Sequence, residues 1–363
     1  MKTEKKVIAS LPKCYSIAML NVGGEQSFVV ATEKEGDCQR FDLEGNYLET
    51  IWSEPGGVMT MIQVPGSNGA FLATHRFYSP NDSKEAKIIL AEPVESDGVT
   101  PVKDLSVPHG WKIRTLTDLP FVHRFDILTV GAVHYLIACC LKSDHECKED
   151  WSHPGRIYAG VLPADLSSFG PENQLPLAVI KEGLTKNHGY FRCIMPDGRP
   201  GSIVSAEEGV YRVGPPVLPE GEWSVDQLLD APASDATEID LDGDGIKELV
   251  TYAPFHGSEL TVWKPVDGKY SDVYRCPEPL DFLHAIWSGM LGGKPAALIG
   301  HRKGGRDLFI LVYDHEQHTY RLDLIDHDRG PTNVQVYEYK SRANIIATNR
   351  ETDEVALYTV FPD

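Results

Sequence analysis

The 363-residue sequence has no apolar run approaching the roughly 18 residues that would cross a bilayer as a helix. It is poor in positive charge, with 34 lysines and arginines against 53 acidic residues and a formal net charge of −19. Such a field repels a phosphate backbone and an anionic lipid surface, so neither nucleic acid nor a membrane is an expected partner. Long stretches of helical period are missing too. The 32 glycines and 25 prolines favour many short strands joined by tight turns instead. The seven cysteines (Cys14, Cys38, Cys139, Cys140, Cys147, Cys193 and Cys276) are odd in number and form no CxxC pair. That usage fits free, mostly buried thiols in a reducing cytoplasm. The opening MKTEKKVIASLPK carries too short an apolar stretch for a secretory signal and reads as mature sequence. There is no GxSxG elbow, no P-loop, no GxGxxG after a strand and no HExxH, which removes the commonest hydrolase and nucleotide signatures.

What is present is a repeat. A short apolar run ending in small residues and followed abruptly by polar ones occurs as SFVVATE (27–33), AFLATHR (70–76), YLIACCL (135–141), SIVSAEE (202–208), ELVTYAP (248–254), AALIGHR (296–302) and NIIATNR (344–350). The steps between first residues are 43, 65, 67, 46, 48 and 48, close to the period of four-stranded propeller blades. A further strand precedes each copy, joined to it by hairpin chemistry such as Gly23-Gly24 and Gly292-Gly293. The expected fold class is all-β, a seven-bladed β-propeller with four-stranded antiparallel blades, one domain over 1–363. Blades are expected to start near residues 15, 58, 121, 188, 235, 282 and 331. The last blade runs out of sequence one strand short, and residues 7–12 are expected to supply an N-terminal strand that closes it. Two stacked β-sandwiches are the alternative architecture.

In a propeller, loops entering the first strand of a blade and loops leaving its second strand share one face. The strand-start column reads Ser16, Val58, His123, His188, Ala236, His284 and Thr332. The strand-end column reads Glu33, His75, Cys140, Glu207, Ala253, His301 and Asn349. Six of the thirteen histidines lie in these columns or beside them, counting His256. Neutral imidazoles from different blades suit Zn²⁺, Mn²⁺ or Fe²⁺, so His123, His188 and His284 are the expected ligands of a divalent transition metal. His75 or His301 is the expected general base, and Glu207 a further ligand or catalytic carboxylate. Arg76, Arg302 and Arg350 follow the strand-end column and, with His256, are expected to contact substrate, since guanidinium groups grip carboxylates and hydroxyls bidentately. Two insertions at 75–87 and 141–156 leave the same face, and their Tyr78 and Trp151 are expected to stack on a sugar ring. For any one histidine the plainer reading is a hydrogen-bonded structural residue, and for the arginines it is solubilising charge.

The sharpest local motif is Asp240-Leu-Asp242-Gly-Asp244-Gly-Ile-Lys-Glu248. Alternate carboxylates in a glycine-relaxed turn suit a hard cation, so Asp240, Asp242, Asp244 and Glu248 are expected to hold a structural Ca²⁺. An acidic hairpin holding no ion is the alternative. The 18 residues TEIDLDGDGIKELVTYAP resemble the FG-GAP or VCBS repeats of β-propellers, which implies the fold rather than an activity. With its histidine columns the chain also resembles aldos-2-ulose dehydratases and oligogalacturonate lyases. That resemblance implies a histidine-bound divalent metal and elimination of water or a leaving group from an oxidised sugar. The leading expectation is therefore a metal-dependent lyase, dehydratase or isomerase acting on a small carbohydrate with a keto or acid group. A non-catalytic propeller binding a glycan or protein is one alternative, and a glycoside hydrolase using two carboxylates is another.

Overall fold

The structure, a computed structural model, describes residues 1–100, 102 and 109–361. Its regular structure is seven separate four-stranded antiparallel sheets. Among the described residues the only helical element is the 3-10 turn Arg350–Thr352, and none is a helix long and apolar enough to cross a membrane. The fold class is the expected one, an all-β seven-bladed β-propeller.

The chain packs as two compact units, Met1–Ser10 with Lys186–Gly214 and Ser224–Asp363, and Leu11–Thr185 with Pro215–Trp223. The second of these holds blades one to three. Blade one is Cys14–Val22, Glu25–Thr32, Cys38–Asp42 and Tyr47–Trp52. Blade two is Met61–Gln63, Phe71–His75, Lys87–Val94 and Gly110–Asp118. Blade three is Val122–Val130, Val133–Lys142, Pro154–Leu162 and Ala178–Leu184. In the other unit, blade four is Gly189–Ile194, Pro200–Ala206, Gly209–Gly214 and Ser224–Leu229. Blade five is Asp235–Ile239, Glu248–Ala253, Glu259–Val266 and Lys269–Arg275. Blade six is Leu283–Leu291, Lys294–His301, Leu308–Asp314 and Thr319–Asp326. Blade seven is Pro331–Tyr339, Arg342–Asn349, Glu354–Phe361 and the N-terminal Lys2–Ser10.

The repeated apolar runs are the second strands, and they are buried along their length, as at Phe28, Val29, Val30 and Ala31 or at Ile345, Ile346 and Ala347. Within a unit, faces are covered where successive blades pack on each other. Ala285, Leu298 and Leu308 of blade six meet Ile345, Ala347 and Tyr358 of blade seven. Val250 and Val262 of blade five meet Ile299 and Leu311 of blade six. A strand covered on both faces reads as a continuous apolar run, not as an alternation. The glycine pairs of the hairpins have a conformational reason. Gly292 and Gly293 adopt φ 58° and 82°, the pair of left-handed residues that a two-residue turn needs to match strand twist.

The N-terminal strand completes blade seven by antiparallel pairing from Lys2 opposite Phe361 to Ser10 opposite Glu354. It starts five residues earlier than expected. The charged segment pairs because Lys5 finds Asp326 at 2.7 Å and Glu354 at 2.6 Å, so its polarity is no obstacle to a strand. Deleting residues 1–10 strips this ladder and exposes Glu354–Phe361 as an edge. The melting temperature should fall by more than about 5 °C and the variant should aggregate with rising concentration. Unchanged melting would show that blade seven stands on three strands.

Candidate functional site

Six of the seven blades enter their first strand through one device. A residue in the left-handed conformation stands two places before the strand-start position: Lys13 before Tyr15, Gly57 before Met59, Phe121 before His123, Lys186 before His188, Phe282 before His284 and Gly330 before Thr332. In four blades its carbonyl accepts an N–H at or just past the end of the second strand, Glu33 to Lys13 at 2.9 Å, Phe77 to Gly57 at 3.2 Å, Leu141 to Phe121 at 3.1 Å and Arg302 to Phe282 at 2.9 Å. Ladder pairing then skips Tyr15, His123, His284 and Thr332. A skipped residue is a bulge, which re-aims its side chain away from the sheet's alternation. The register of blade one puts Tyr15 in the strand-start column in place of Ser16, and the left-handed Gly57 puts Met59 there in place of Val58. The slip of one residue is invisible in sequence because both neighbours are apolar or small.

In the unit of blades four to seven this device brings His188 and His284 together, and His256 joins them from the loop after the second strand of blade five. One ligating atom of each lies within 4.8 Å of the others. Ring centroids are 4.9 Å apart for His188 and His256 and 5.4 Å for His188 and His284. His188 and His284 are 1% and 2% exposed. Their tautomers follow from their partners. His284 Nδ1 faces the Thr332 carbonyl at 2.7 Å, which can only accept, so Nδ1 carries the proton. His188 Nδ1 likewise donates to the Asp235 carboxylate at 2.9 Å. In both rings an outer partner at Nδ1 fixes the ring and leaves Nε2 facing the cluster, where His188 Nε2 lies 3.3 Å from His256 Nε2. The Ser234 hydroxyl donates to Asp235 at 3.2 Å and accepts the His256 N–H at 3.4 Å, so adjacent residues hold two of the three histidines.

His256, in a left-handed conformation, is stacked between Phe255 at 3.9 Å and Phe282 at 4.4 Å. Burial first, then the charges of His188, Arg302, Lys303 and Lys186, hold its pKa well below the ordinary histidine value, so the ring is neutral. The Lys186 ammonium lies 5.6 Å from the Phe255 ring, and Arg302 and Lys303 lie 4.7 and 5.1 Å from the Phe282 ring. Lys186 pairs with Glu207. Arg302 and Arg350 share one oxygen of Glu351, at 2.7 and 2.9 Å. Three imidazoles from different blades, bordered by cations, fit a borderline divalent metal and an anionic or electron-rich ligand.

The other expected site residues have different surroundings. His301 faces an acceptor with each ring nitrogen, the Asp281 carbonyl and the Asp307 carboxylate, both at 3.3 Å, and Asp307 also binds His327 at 2.5 Å. Both ring nitrogens of His301 are thus tied into a hydrogen-bonded chain. In the unit of blades one to three, His123 Nε2 lies 3.3 Å from the Tyr15 hydroxyl and its ring packs on Phe77. His75 is buried edge-on to Trp52, and burial, then Arg76 and Lys87, lower its pKa to about 3. Arg76 pairs with Glu85 at the surface. Trp151 covers the Lys142 ammonium at 4.0 Å, and the Tyr78 carbonyl accepts a bond from Lys34. Asp240, Asp242 and Asp244 bring carboxylate oxygens within 4.8 Å of one another, and the ammonium of Lys264 is bonded among them. Sequence reading passed over Asp235, Phe255, Phe282, Lys186 and Glu351. The recurring Phe-x-His of 121–123 and 282–284 was an available signal.

No protein-family model matches the chain, and no curated protein sequence matches it. Solved structures do. The β-propeller domain of Myceliophteria thermophila Cps50 (Swd1) is 11% identical with a TM-score of 0.57, covering 99% of this chain and 100% of that one. A streptogramin B lyase is 10% identical with a TM-score of 0.55, covering 98% and 97%. A glucose dehydrogenase is 13% identical over 99% and 100%, with a TM-score of 0.49. At these identities the likeness is one of fold alone.

The three-histidine cluster separates two ligand sets by experiment. His256→Ala should lower the affinity for Zn²⁺ or Co²⁺ at least tenfold, as should His284→Ala. His123→Ala, and His134→Ala in the blade-three hairpin where that ring bonds Thr129, should leave it unchanged. Loss of metal in His123→Ala with retention in His256→Ala would reverse the assignment.

Proposed function

We propose that the chain is a metal-dependent lyase, dehydratase or isomerase acting on a small carbohydrate that bears a keto or acid group. The observation that carries this reading is the cluster of the imidazoles of His188, His256 and His284, the first and last buried and each with Nδ1 committed to an outer partner. They are the residues that would hold the ion. A divalent metal there would supply Lewis acidity toward a carbonyl or carboxylate oxygen, acidifying the neighbouring C–H. The chain's own groups do the rest. Lys186 and Glu207 form an ion pair, with Lys186 beside Phe255, and Glu207 would take the proton as the leaving group departs. Arg302 and Arg350, held by Glu351, orient the substrate's acid group or hydroxyls. Phe255 and Phe282 exclude water from the face of His256.

The resemblance to propeller lyases that act on oxidised sugars supports the reaction class. The seven free thiols, of which Cys147 alone is exposed, support a reducing cytoplasm as its location. A glycan- or protein-binding propeller without chemistry is the competing reading, and metal content divides the two.

Elemental analysis of untagged protein should return about one equivalent of Zn, Mn or Fe per chain. A panel of keto- and uronic sugars should show elimination that stops on metal removal and returns on reloading. Asp235→Ala should weaken the ion about 10- to 100-fold through His188, and Glu207→Gln should slow turnover about 100-fold with the metal retained. Protein that carries no transition metal and takes none up would overturn the proposal.

A further inference from the structure

The loop at 240–248 joins the first two strands of blade five, and its carboxylates fit a calcium ion by type and spacing. Their oxygens are spoken for. Asp240 Oδ1 and Oδ2 accept the N–H groups of Gly243 and Gly245 at 2.8 and 2.9 Å. Oδ1 of Asp242 and of Asp244 accept the N–H groups of Asp244 and Ile246 at 3.2 and 2.9 Å. Glu248 is fully buried, and its Oε2 accepts the Leu241 N–H at 2.7 Å. The remaining oxygens converge on one ammonium. Lys264 Nζ bonds Asp242 Oδ2, Asp244 Oδ2 at 2.8 Å and Glu248 Oε1 at 3.2 Å. The Tyr320 hydroxyl, from the outer strand of blade six, donates to the same Glu248 oxygen at 3.1 Å.

We infer that Lys264 is a built-in cation occupying the position a calcium ion would take, so that this turn is held shut without a metal. Position and geometry make it suited to the task. Leu249 pairs with Trp263 across the ladder, which sets Lys264 directly beside Glu248. An ammonium has three donors, and three carboxylates meet them. The side chain is largely buried, as are those of Asp242 and Glu248, so the bonds are shielded from water. Burial works against the charge on Lys264, but its bonds to Asp242, Asp244 and Glu248 outweigh that and raise its pKa. Calcium takes six to eight oxygen ligands. To enter here it would have to expel the ammonium and strip backbone N–H groups from the same carboxylates.

The test is thermal unfolding of the full chain in EDTA and in millimolar calcium, for the wild type and for Lys264→Met. The wild type should melt at the same temperature in both. Lys264→Met should melt several degrees lower in EDTA and recover as calcium rises, because four carboxylates without a cation then bind one from solution. Calorimetric titration should show calcium binding to the variant and none to the wild type. If Lys264→Met does not fold, the double variant Asp244→Asn, Lys264→Met lowers the uncompensated charge and should restore folding. A wild-type melting point that climbs with calcium would overturn the inference, since the ion would then displace the lysine. A variant as stable as wild type in EDTA would overturn it as well. A destabilised variant that calcium fails to rescue would reduce Lys264 to an ordinary ion pair and likewise overturn it.

Discussion

Burying the second strand of each blade on both faces is the constraint on which the rest of the molecule depends. A strand such as Lys294–His301 sits between neighbouring sheets, blade seven on one face and blade five on the other, so its middle admits only apolar and small side chains. Polar groups are pushed to the strand ends, where backbone N–H and carbonyl groups also need partners. Chemistry therefore collects in the turns that lead into and out of each blade. The bulges at His123, His284 and Thr332 and the left-handed residues two places before them are how the chain satisfies its backbone while turning side chains out of the ladder.

The cluster of His188, His256 and His284 shows what that placement permits. A buried imidazole without partners is costly, and each of these has one: Asp235 for His188, the Thr332 carbonyl for His284, and His188 Nε2 at 3.3 Å for His256. The partners fix ring orientation and proton position together. Stacking between Phe255 and Phe282 removes solvent from His256 and keeps it neutral, and Lys186, Arg302 and Lys303 over the outer faces of those rings add to the same effect. A chain of net charge −19 thus gathers cations around one site. The acids that balance them, Glu207 and Glu351, sit within the same shell, so local charge is paired while global charge remains strongly negative.

Pairing of this kind recurs wherever a charge is shielded. Lys264 is enclosed by the carboxylates of blade five. Lys142, fully buried, is enclosed by Asn81, the Asp150 carbonyl and the Trp151 ring. Glu238 is enclosed by Arg212 and Lys247. Breaking one side of such a set leaves an uncompensated buried charge, which is far more costly than losing a surface pair.

The blade count, the four-stranded pattern and the N-terminal completion of blade seven were all determined by sequence alone, because strands covered on both faces leave continuous apolar runs at a countable period. So were the presence of His188 and His284 at strand starts and the gathering of Asp240, Asp242 and Asp244 in one turn. Only the tertiary structure decided that His256 is the third histidine, since it reaches the cluster from a loop whose left-handed backbone no periodicity encodes. It alone decided that Asp235 and Thr332 set the tautomers, that Glu351 binds two arginines, and that Lys264 fills the acidic turn. The physical reason is common to all of these. Burial patterns are properties of a strand and are written along it, whereas hydrogen bonds and ion pairs join residues as far apart as His284 and Thr332 and exist only once the blades are packed.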